Sequence, residues 1–254
     1  MKLKNDKKKV VEINGLSKRY GKANKFAIEG IDVECYEGEI VGLLGHNGAG
    51  KSTTIKCLTG FFPFEKGNIK ICDCDIKKKP MEAKKHLGYV PDNRASFEKM
   101  TGMEYVNFIA DLHKVSTEER TKRIEEMQEI FKLGDKINDL ISSYSHGMKQ
   151  KICLMASLIH NPKLWLLDEP LTGLDPQTTK ALHQYMSKYK KEGNAVLYSS
   201  HNLNAIEKTC DRAYIINNGK IVANINIAEF LKENPGKNLE TVFMEKFGED
   251  LCNI

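Results

Sequence analysis

The 254-residue sequence lacks the features that would assign it at once to several protein classes. It has no apolar run approaching the roughly 20 residues that span a bilayer, so we expect that the chain itself does not cross a membrane. Its seven cysteines are odd in number and scattered, with no signal peptide ahead of them. This argues against a disulfide framework and for a reducing compartment inside the cell. The net charge of +5 is too small and too dispersed to indicate a nucleic-acid partner.

A cysteine pair and two lysine runs are weak signals. Cys72 and Cys74 would lie on one face of a strand, but no second pair and no nearby histidine completes a metal site. We interpret the lysine runs at 7–9 and 77–79 as solvated surface, with weak attraction to an acidic membrane face as the alternative. The hydrophobic fraction of 41% is sufficient for one sizeable domain with a buried core.

The strongest local signal is EIVGLLGHNGAGKSTTIKCLTG, residues 39–60. Gly45, Gly50, Lys51 and Ser52 have the spacing of a P-loop, between an apolar strand-like run and a helix-like one. The glycines let the backbone wrap around phosphate oxygens. Lys51 can reach the terminal phosphates, and the Ser52 hydroxyl can ligate Mg²⁺. The stretch therefore predicts a nucleotide site.

Two further apolar runs end in residues that carry chemistry. KLWLLDEP (163–170) is typical of a parallel strand buried on both faces, with two carboxylates at its carboxyl end, where ligands bind in such sheets. Asp168 is suited to hold Mg²⁺ through water, and Glu169 to polarise an attacking water. AVLYSSHNL (195–203) places His201 at the same edge. The alternatives are a solvated acidic loop and a structural histidine.

The stretch SYSHGMKQK, residues 143–151, predicts a helix start. Apolar residues follow at i, i+3, i+4 and i+7, namely Ile152, Met155, Ala156 and Ile159. Ser145 is placed to cap this helix. The same hydroxyl, glycine and free backbone N–H groups would also bind an anion, so both interpretations are open at this point.

Together and in this order, the motifs resemble those of the ATP-binding subunit of an ABC (ATP-binding cassette) transporter, most like the bacterial export-type branch. The resemblance runs from about Val10 to Val222. GHNGAGKST is similar to the family's Walker A motif, LWLLDEP to its Walker B motif with the catalytic glutamate, and GLDP (173–176) to its D-loop. His201 is similar to the switch histidine, and Tyr20 to the aromatic residue that stacks on adenine. YSHGM (144–148) stands in the place of the signature, which in this family binds the ATP held by the other subunit.

The resemblance implies a set of functional residues and two ligands, ATP and Mg²⁺. The implied catalytic residues are Glu169, His201 and Lys51. The implied metal ligands are Ser52, Asp92 and Asp168. The implied nucleotide-binding residues are Tyr20, Gly45, Asn47, Gly48, Ala49, Gly50, Lys51, Ser52, Thr53, Ser145, Gly147 and Asp175. A lone chain would then carry half of each of two ATP sites.

Three positions depart from the family pattern. His146 stands where glycine is usual and Met148 where glutamine is usual, so the signature keeps its serine and its second glycine. We expect His146 either to lie near the dimer-bound phosphate and make turnover pH-dependent, or to be a tolerated surface substitution. Asp92, at the end of GYVPD, replaces the family's glutamine by a shorter, charged side chain. We expect it near the metal, because a carboxylate suits a hard cation; the alternative is a solvated carboxylate that is turned away from the site.

The order of the motifs predicts an α/β fold: a P-loop (RecA-like) nucleotide-binding core with an antiparallel β layer and an inserted helical subdomain. The antiparallel layer is expected from VVEINGL and FAIEGIDVE, which precede the P-loop. We expect a single ABC ATPase domain over residues 1–254. Its core would comprise 1–92 and 159–222, its helical insert with the signature 93–158, and its short C-terminal tail 223–254.

Local patterns add detail to this architecture. Two capping boxes are predicted, Thr101 with Glu104 and Ser116 with Glu119. One face of the first inserted helix carries Tyr105, Phe108, Ile109 and Leu112, which we interpret as core rather than as a partner-binding groove. YIINNGKIVA predicts two strands joined by an Asn218-Gly219 turn. A helix in the tail would pack Leu239, Val242, Phe243 and Phe247 against the domain.

The expected function is an ATPase that dimerises head-to-tail with a second ATP-binding subunit, as a homodimer or a heterodimer, and powers a separate polytopic membrane protein. We expect it in the cytoplasm, at the inner face of the cell membrane. The short tail resembles that of subunits serving exporters, so export is the expected direction. The alternative is a soluble ABC-type ATPase of DNA repair or translation. Against it stand the single cassette and the lack of a long heptad segment or a strongly basic surface.

Overall fold

Two sheets form the centre of the structure, a computed structural model that describes residues 7–21, 24–92 and 97–241. The strands are β1 (Lys9–Lys18), β2 (Ile28–Tyr36), β3 (Ile40–Leu44), β4 (Lys66–Ile71), β5 (Cys74–Asp75), β6 (Leu87–Val90), β7 (Leu164–Asp168), β8 (Ala195–Ser200), β9 (Arg212–Asn217) and β10 (Lys220–Asn226). The α-helices are α1 (Lys51–Leu58), α2 (Pro80–Lys85), α3 (Gly102–Leu112), α4 (Thr117–Phe131), α5 (His146–Leu158), α6 (Pro176–Lys191), α7 (Leu203–Thr209) and α8 (Ile227–Glu233). Short 3-10 helices, Gly134–Asn138 and Ile141–Ser143, precede α5.

The first sheet is antiparallel, in the order β2-β1-β4-β5, as the sequence predicted. In β1, Val11, Ile13 and Leu16 are fully buried. They belong to the same apolar cluster as Leu43 of the second sheet and Ile55 of α1. The antiparallel layer therefore covers one face of the second sheet, and this face carries the P-loop helix.

The second sheet has the order β10-β9-β3-β8-β7-β6. All its neighbouring strands are parallel except those of the β9–β10 hairpin. Every residue of β3, β7 and β8 is buried, because both faces of these strands are covered. Asn218 (φ 46°) and Gly219 (φ 75°) form the hairpin turn, which confirms the predicted two-strand unit.

The helices α3, α4 and α5 pack on the opposite face of the second sheet, in a cluster that includes Trp165 of β7 and Ile152 of α5. Ser145 caps α5 as predicted, accepting a hydrogen bond of 3.3 Å from the Met148 N–H. The predicted apolar stripe of α5 is buried throughout. The helices of the insert, including α5 with the signature, are therefore held in place by packing against the same face of the second sheet.

One of the two predicted capping boxes forms completely. Thr101 accepts from the Glu104 N–H, and the Glu104 carboxylate accepts from the Thr101 N–H. The second prediction is half right: Ser116 caps α4 at the Glu119 N–H. The Glu119 carboxylate, however, accepts from the Ser116 hydroxyl and pairs with Arg123 instead of reaching the backbone.

The predicted core face of α3 is wrong for two of its four residues. Phe108 is 38% exposed and Leu112 is 63% exposed, whereas Tyr105 and Ile109 are partly buried. The fully buried positions of the helix are instead Gly102, Val106 and Ala110. Small and β-branched side chains face the core because α3 lies close to its neighbours on that side, which leaves the larger side chains of Phe108 and Leu112 exposed.

Two further expectations change or fall outside the described residues. Cys72 does not share a strand face with Cys74, because it lies with φ 46° in the turn between β4 and β5. In the tail, Leu239 is buried at 1% exposure, as expected. The other three apolar positions predicted for the tail helix, 242, 243 and 247, lie outside the described residues.

Candidate active site

The P-loop joins the end of β3 to the start of α1 at the carboxyl edge of the parallel sheet. Gly50 has a φ of 117°, and a Cβ there would collide with the side chains of Ile28 and Ile216. Only glycine fits this position, as the motif requires. The loop is also tied to β9, because His46 Nε2 lies 3.0 Å from Asn217 Oδ1. Of the loop positions predicted to contact nucleotide, Asn47 and Gly48 are exposed and Ala49 is buried.

Lys51 begins α1, and its side chain folds back over the loop. The ammonium donates to the carbonyl oxygens of Gly45 at 2.5 Å and of His46 at 3.3 Å. It also lies 3.5 Å from Glu169 Oε1, although only 5% of the residue is exposed. The neighbouring hydroxyl of Ser52 is exposed and that of Thr53 is half-buried. The buried Lys51 and the exposed Ser52 therefore lie side by side at the start of α1, where the sequence predicted phosphate binding.

Asp168 ends β7 and is 2% exposed. Ser199, paired with it in the register of β8, donates a hydrogen bond of 2.6 Å from Oγ to Asp168 Oδ1. Burial raises the pKa of the Asp168 carboxyl. The Ser199 hydrogen bond and the Lys51 charge oppose the rise, and the charges of Asp92 and Glu169 add to it. Negative charge therefore accumulates at this strand end, which is a setting that suits a divalent cation.

Ser199 also holds Glu169, since its Oγ accepts a hydrogen bond of 3.1 Å from the Glu169 N–H. Sequence reasoning missed Ser199. The available signal was its place in AVLYSSH, one strand away from the two acids. Glu169 has a φ of 47°, in the left-handed region that glutamate seldom adopts. Residues held in such conformations cluster at functional sites.

His201 follows β8, and its Nδ1 lies 3.0 Å from Glu169 Oε1. The imidazole is about half exposed, with 49% of the side chain accessible. The structure thus brings together all three predicted catalytic residues, with Glu169 in contact with both Lys51 and His201. These residues come from the ends of three different strands of one sheet.

Asp92 follows β6, the strand beside β7, and is exposed. It lies close enough to raise the pKa of Asp168 through its charge. It therefore lies at the carboxyl edge of the sheet, and whether it contacts a metal stays a prediction. Across the described residues, no group of three or more His, Cys, Asp and Glu side chains is arranged to hold a metal ion.

Tyr20 lies after β1 and is 46% exposed. Its hydroxyl is hydrogen-bonded to Thr53 Oγ1 at 2.8 Å. Phe62 meets its ring edge-on, with the centroids 5.6 Å apart. An exposed aromatic face beside the loop can stack on a nucleotide base.

The signature residues lie on α5, and in the described part of the chain no hydrogen bond joins Ser145 or Gly147 to the P-loop. A Cβ on Gly147 would lie 2.9 Å from the Gly173 carbonyl oxygen, so the signature abuts the D-loop of its own chain. The His146 ring packs against Gly173 as well. Asp175 caps α6 and accepts from Thr178, whose hydrogen bonds lower the pKa of the Asp175 carboxyl. The predicted nucleotide contacts on the signature therefore lie against the D-loop.

None of the helices in the described part of the chain combines the length and the apolarity needed to cross a membrane. A family model described as ABC transporter matches residues 28–172. The linearmycin resistance ATP-binding protein LnrL of Bacillus subtilis (strain 168) is 36% identical over 214 residues, which are 84% of this chain and 68% of that protein.

Two solved structures share the fold. The structure of an ATP-binding subunit of an ABC transporter matches with a TM-score of 0.87 and 29% identity, covering 93% of this chain and 98% of that one. A dimeric post-hydrolysis ATP-binding cassette bound to ADP and Pi matches with a TM-score of 0.77 and 22% identity, covering 85% and 98%. The second likeness, at this identity, concerns the fold alone.

Proposed function

Because the chain belongs to the ABC transporter family and is an ABC-type ATPase, we propose that it works as one half of a head-to-tail pair that drives a polytopic membrane partner. The observation that carries the proposal is the contact of Glu169 with both Lys51 and His201, at 3.5 Å and 3.0 Å. This contact joins a phosphate-binding cation, a base and a histidine at one sheet edge. Nucleotide binding and hydrolysis are properties of the family.

In this proposal ATP lies along the P-loop. Tyr20 stacks on the adenine, and the loop from Gly45 to Thr53 binds the phosphates through its backbone and through Lys51. The ammonium now held by two loop carbonyls exchanges part of that contact for phosphate oxygens. Positive charge next to the terminal phosphates favours the anionic ligand.

The residues at the strand ends fit Mg²⁺. Ser52, Asp92 and Asp168 would supply hard oxygen ligands. Burial, with the charges of Asp92 and Glu169 adding to it, raises the pKa of Asp168, and a bound cation would favour its charged form. Mg²⁺ usually keeps waters and substrate phosphates among its ligands, so a few protein oxygens suffice. When bound, the ion neutralises charge that develops on the phosphate oxygens.

Hydrolysis is attack by water on the γ-phosphorus, in line with the bond to the leaving ADP oxygen. Glu169 accepts the proton of the water. His201, at 3.0 Å from the carboxylate, orients Glu169 and bonds the γ-phosphate. Lys51 stabilises the spread negative charge. Ser199 acts through Asp168 and the Glu169 N–H, so it is a positioning residue.

The second subunit completes each site. Ser145 is exposed and Gly147 is half-buried at the N-terminus of α5, and in the described residues neither is hydrogen-bonded to the P-loop. A helix N-terminus favours an anion, so we propose that these groups bind the γ-phosphate of the ATP held by the facing subunit. Asp175, at the N-terminus of α6, would lie beside the same contact between the two subunits. The signature keeps these groups despite His146 and Met148.

An exposed apolar cluster supports a membrane-spanning partner. Phe97 stacks with Tyr105 at 4.8 Å and lies 5.7 Å from Phe108, and Leu112 continues the cluster along α3. Phe97, Phe108 and Leu112 are 42%, 38% and 63% exposed. Exposed apolar patches of this kind mark interaction sites. We place the chain at the inner face of the cell membrane. Export is the proposed direction, in keeping with the resistance named for LnrL.

The ATPase proposal is tested with the full chain, Mg²⁺ and ATP. Glu169→Gln should bind ATP as the wild type does but lose about a hundredfold or more of the turnover, because the base is lost while the phosphate site remains. Lys51→Ala should instead weaken ATP binding. Glu118→Gln, an exposed change on α4, is the matched control. Near wild-type turnover by Glu169→Gln would reject Glu169 as the base.

The partner is tested by purification from detergent-solubilised membranes. A polytopic protein that co-purifies with the chain supports the transporter role. Its binding should be weakened by Phe108→Ser and not by Phe61→Ser, since Phe61 is even more exposed, at 73% against 38%, but lies just after α1 rather than on α3. Ribosomes or DNA in its place would instead favour a role in translation or DNA repair.

A further inference from the structure

Gln150 is a polar side chain in the interior of α5. It is 0% exposed, and its Nε2 donates a hydrogen bond of 2.7 Å to the carbonyl oxygen of Pro170. Because a carbonyl can only accept, this bond fixes the orientation of the amide. Its Oε1 has no hydrogen-bond partner among the residues that the structure describes. A buried acceptor without a partner costs free energy, so an apolar residue would stabilise this position better.

The bond ends at the residue that follows Glu169. On the other side, the Glu169 N–H is held by Ser199 Oγ at 3.1 Å. Between these two anchors Glu169 has its unusual φ of 47°. A strained conformation persists only where the surroundings hold it. Gln150 and Ser199 therefore hold the backbone that presents the Glu169 carboxylate to Lys51 and His201.

The same helix carries the signature groups. Gln150 lies roughly 7 Å along the helix axis from Ser145, since each residue advances the helix by about 1.5 Å. A single 13-residue helix moves largely as one body, so a displacement at its N-terminus also moves Gln150. Further contacts join α5 to the loop after Glu169: Gly147 abuts Gly173, and Lys151 lies 3.8 Å from Asp175.

We propose that Gln150 is a positioning residue that couples the two nucleotide sites of the dimer. The signature of one subunit contacts the γ-phosphate bound by its partner, while Glu169 of that same subunit acts on its own ATP. Gln150 transmits the position of α5 to the peptide beside Glu169. Each chain thereby aligns its base when the facing site is loaded. This coupling rests on the head-to-tail dimer and on Glu169 as the base.

The first test compares Gln150→Met with Ser157→Ala in the full chain. Methionine keeps the length of the side chain but cannot donate to Pro170. Ser157 is also buried on α5, and it bonds Leu154 and Trp165 rather than the loop after Glu169. We expect Gln150→Met to lower kcat about tenfold and to change the binding of a fluorescent ATP analogue less than about twofold. Ser157→Ala should change neither.

A second variant, Gln150→Glu, tests the role by the pH dependence of kcat, which would not change if Gln150 had only a structural role. In Gln150→Glu, a carboxylate repels the Pro170 carbonyl, whereas the protonated acid donates to it. The ratio of its kcat to that of the wild type should therefore rise as the pH is lowered from about 8 to about 6. The same ratio for Ser157→Ala should stay constant. If Gln150→Met fails to fold in a thermal melt, Gln150→Glu decides the question.

A double-mutant cycle tests the coupling itself. If Ser145 acts on Glu169 through Gln150, adding Gln150→Met to Ser145→Ala should lower kcat no further than the stronger single change. Multiplied losses would overturn the coupling. Wild-type kcat in Gln150→Met, or a Gln150→Glu ratio that does not depend on pH, would remove Gln150 from any role at Glu169. Glu169→Gln is measured alongside: if it hydrolyses ATP normally, the proposed mechanism itself fails.

Discussion

We expect the folded state to become less stable below about pH 6.5 because of His160, which lies just after α5. Its ring stacks on that of His113, with the centroids 3.6 Å apart and the planes at 18°. Nε2 lies 3.1 Å from the Leu87 carbonyl oxygen and therefore carries the proton. Nδ1 is buried and has no hydrogen-bond partner among the described residues. A second proton on this ring would have no acceptor.

The magnitude follows from the pKa of this group. Burial, and then the neighbouring His113, lowers the pKa of His160 to about 4, with the Leu87 hydrogen bond opposing the fall. In the unfolded chain the value is about 6.5. Between about pH 4 and pH 6.5 the unfolded state binds a proton that the folded state does not. The contribution of His160 to the free energy of unfolding is therefore fully present above about pH 6.5 and is lost as the pH falls toward 4. One pKa unit corresponds to about 1.36 kcal/mol. When the pH falls from about 7.5 to about 5, the titration of His160 therefore lowers the free energy of unfolding by about 2 kcal/mol.

Urea unfolding at these two pH values measures this loss. Trp165, the only tryptophan in the sequence, is fully buried and reports unfolding by its fluorescence. His160→Gln keeps a donor for the Leu87 carbonyl but does not titrate, so its free energy of unfolding should fall by about 2 kcal/mol less than that of the wild type. His86→Gln, a change outside the stacked pair, should behave like the wild type. An equal fall in His160→Gln and the wild type would refute the reasoning.

Two further outcomes follow from the site. Asp92→Asn should raise the Mg²⁺ concentration for half-maximal ATPase rate several-fold, since it removes one of the carboxylates beside Asp168; superimposable Mg²⁺ titrations of variant and wild type would exclude Asp92 from the site. Phe62→Ala removes the edge contact that holds the Tyr20 ring, so KM for ATP should rise about two- to tenfold at unchanged kcat. The neighbouring Phe61→Ala, at a ring that is 73% exposed, should leave KM unchanged, and an equal effect of both variants would count against a role for Phe62.

The sequence predicted the part of the site that depends on strand ends. Buried apolar runs predicted β3, β7 and β8, and the carboxyl ends of parallel neighbours share an edge. For that reason Lys51, Glu169 and His201 could be expected together although they lie far apart in the chain. The family resemblance assigned the fold, which the comparisons confirm.

Contacts that depend on packing between elements were not predictable in the same way. Predicting the contact of Ser199 would have required the register of β7 against β8, because only that register places Ser199 opposite Asp168. Predicting the contact of Gln150 with Pro170 would have required knowing how α5 approaches the loop after β7. Helical periodicity alone made it an ordinary polar position. The contact of His146 with Gly173 likewise depends on how the D-loop lies against α5. These are the contacts through which separate motifs act on one another.

The error on α3 has a physical cause. Periodicity identifies an apolar face, but it does not show which part of that face the core accepts. A Cβ on Gly102 would lie 2.9 Å from the Ile137 carbonyl oxygen and 3.1 Å from Ile152, so the helix approaches its neighbours too closely there for any larger residue. That close approach turns Gly102, Val106 and Ala110 inward and leaves Phe108 and Leu112 exposed. The residues that the structure describes leave these large apolar side chains exposed, and this exposure is the reason for the proposed partner surface.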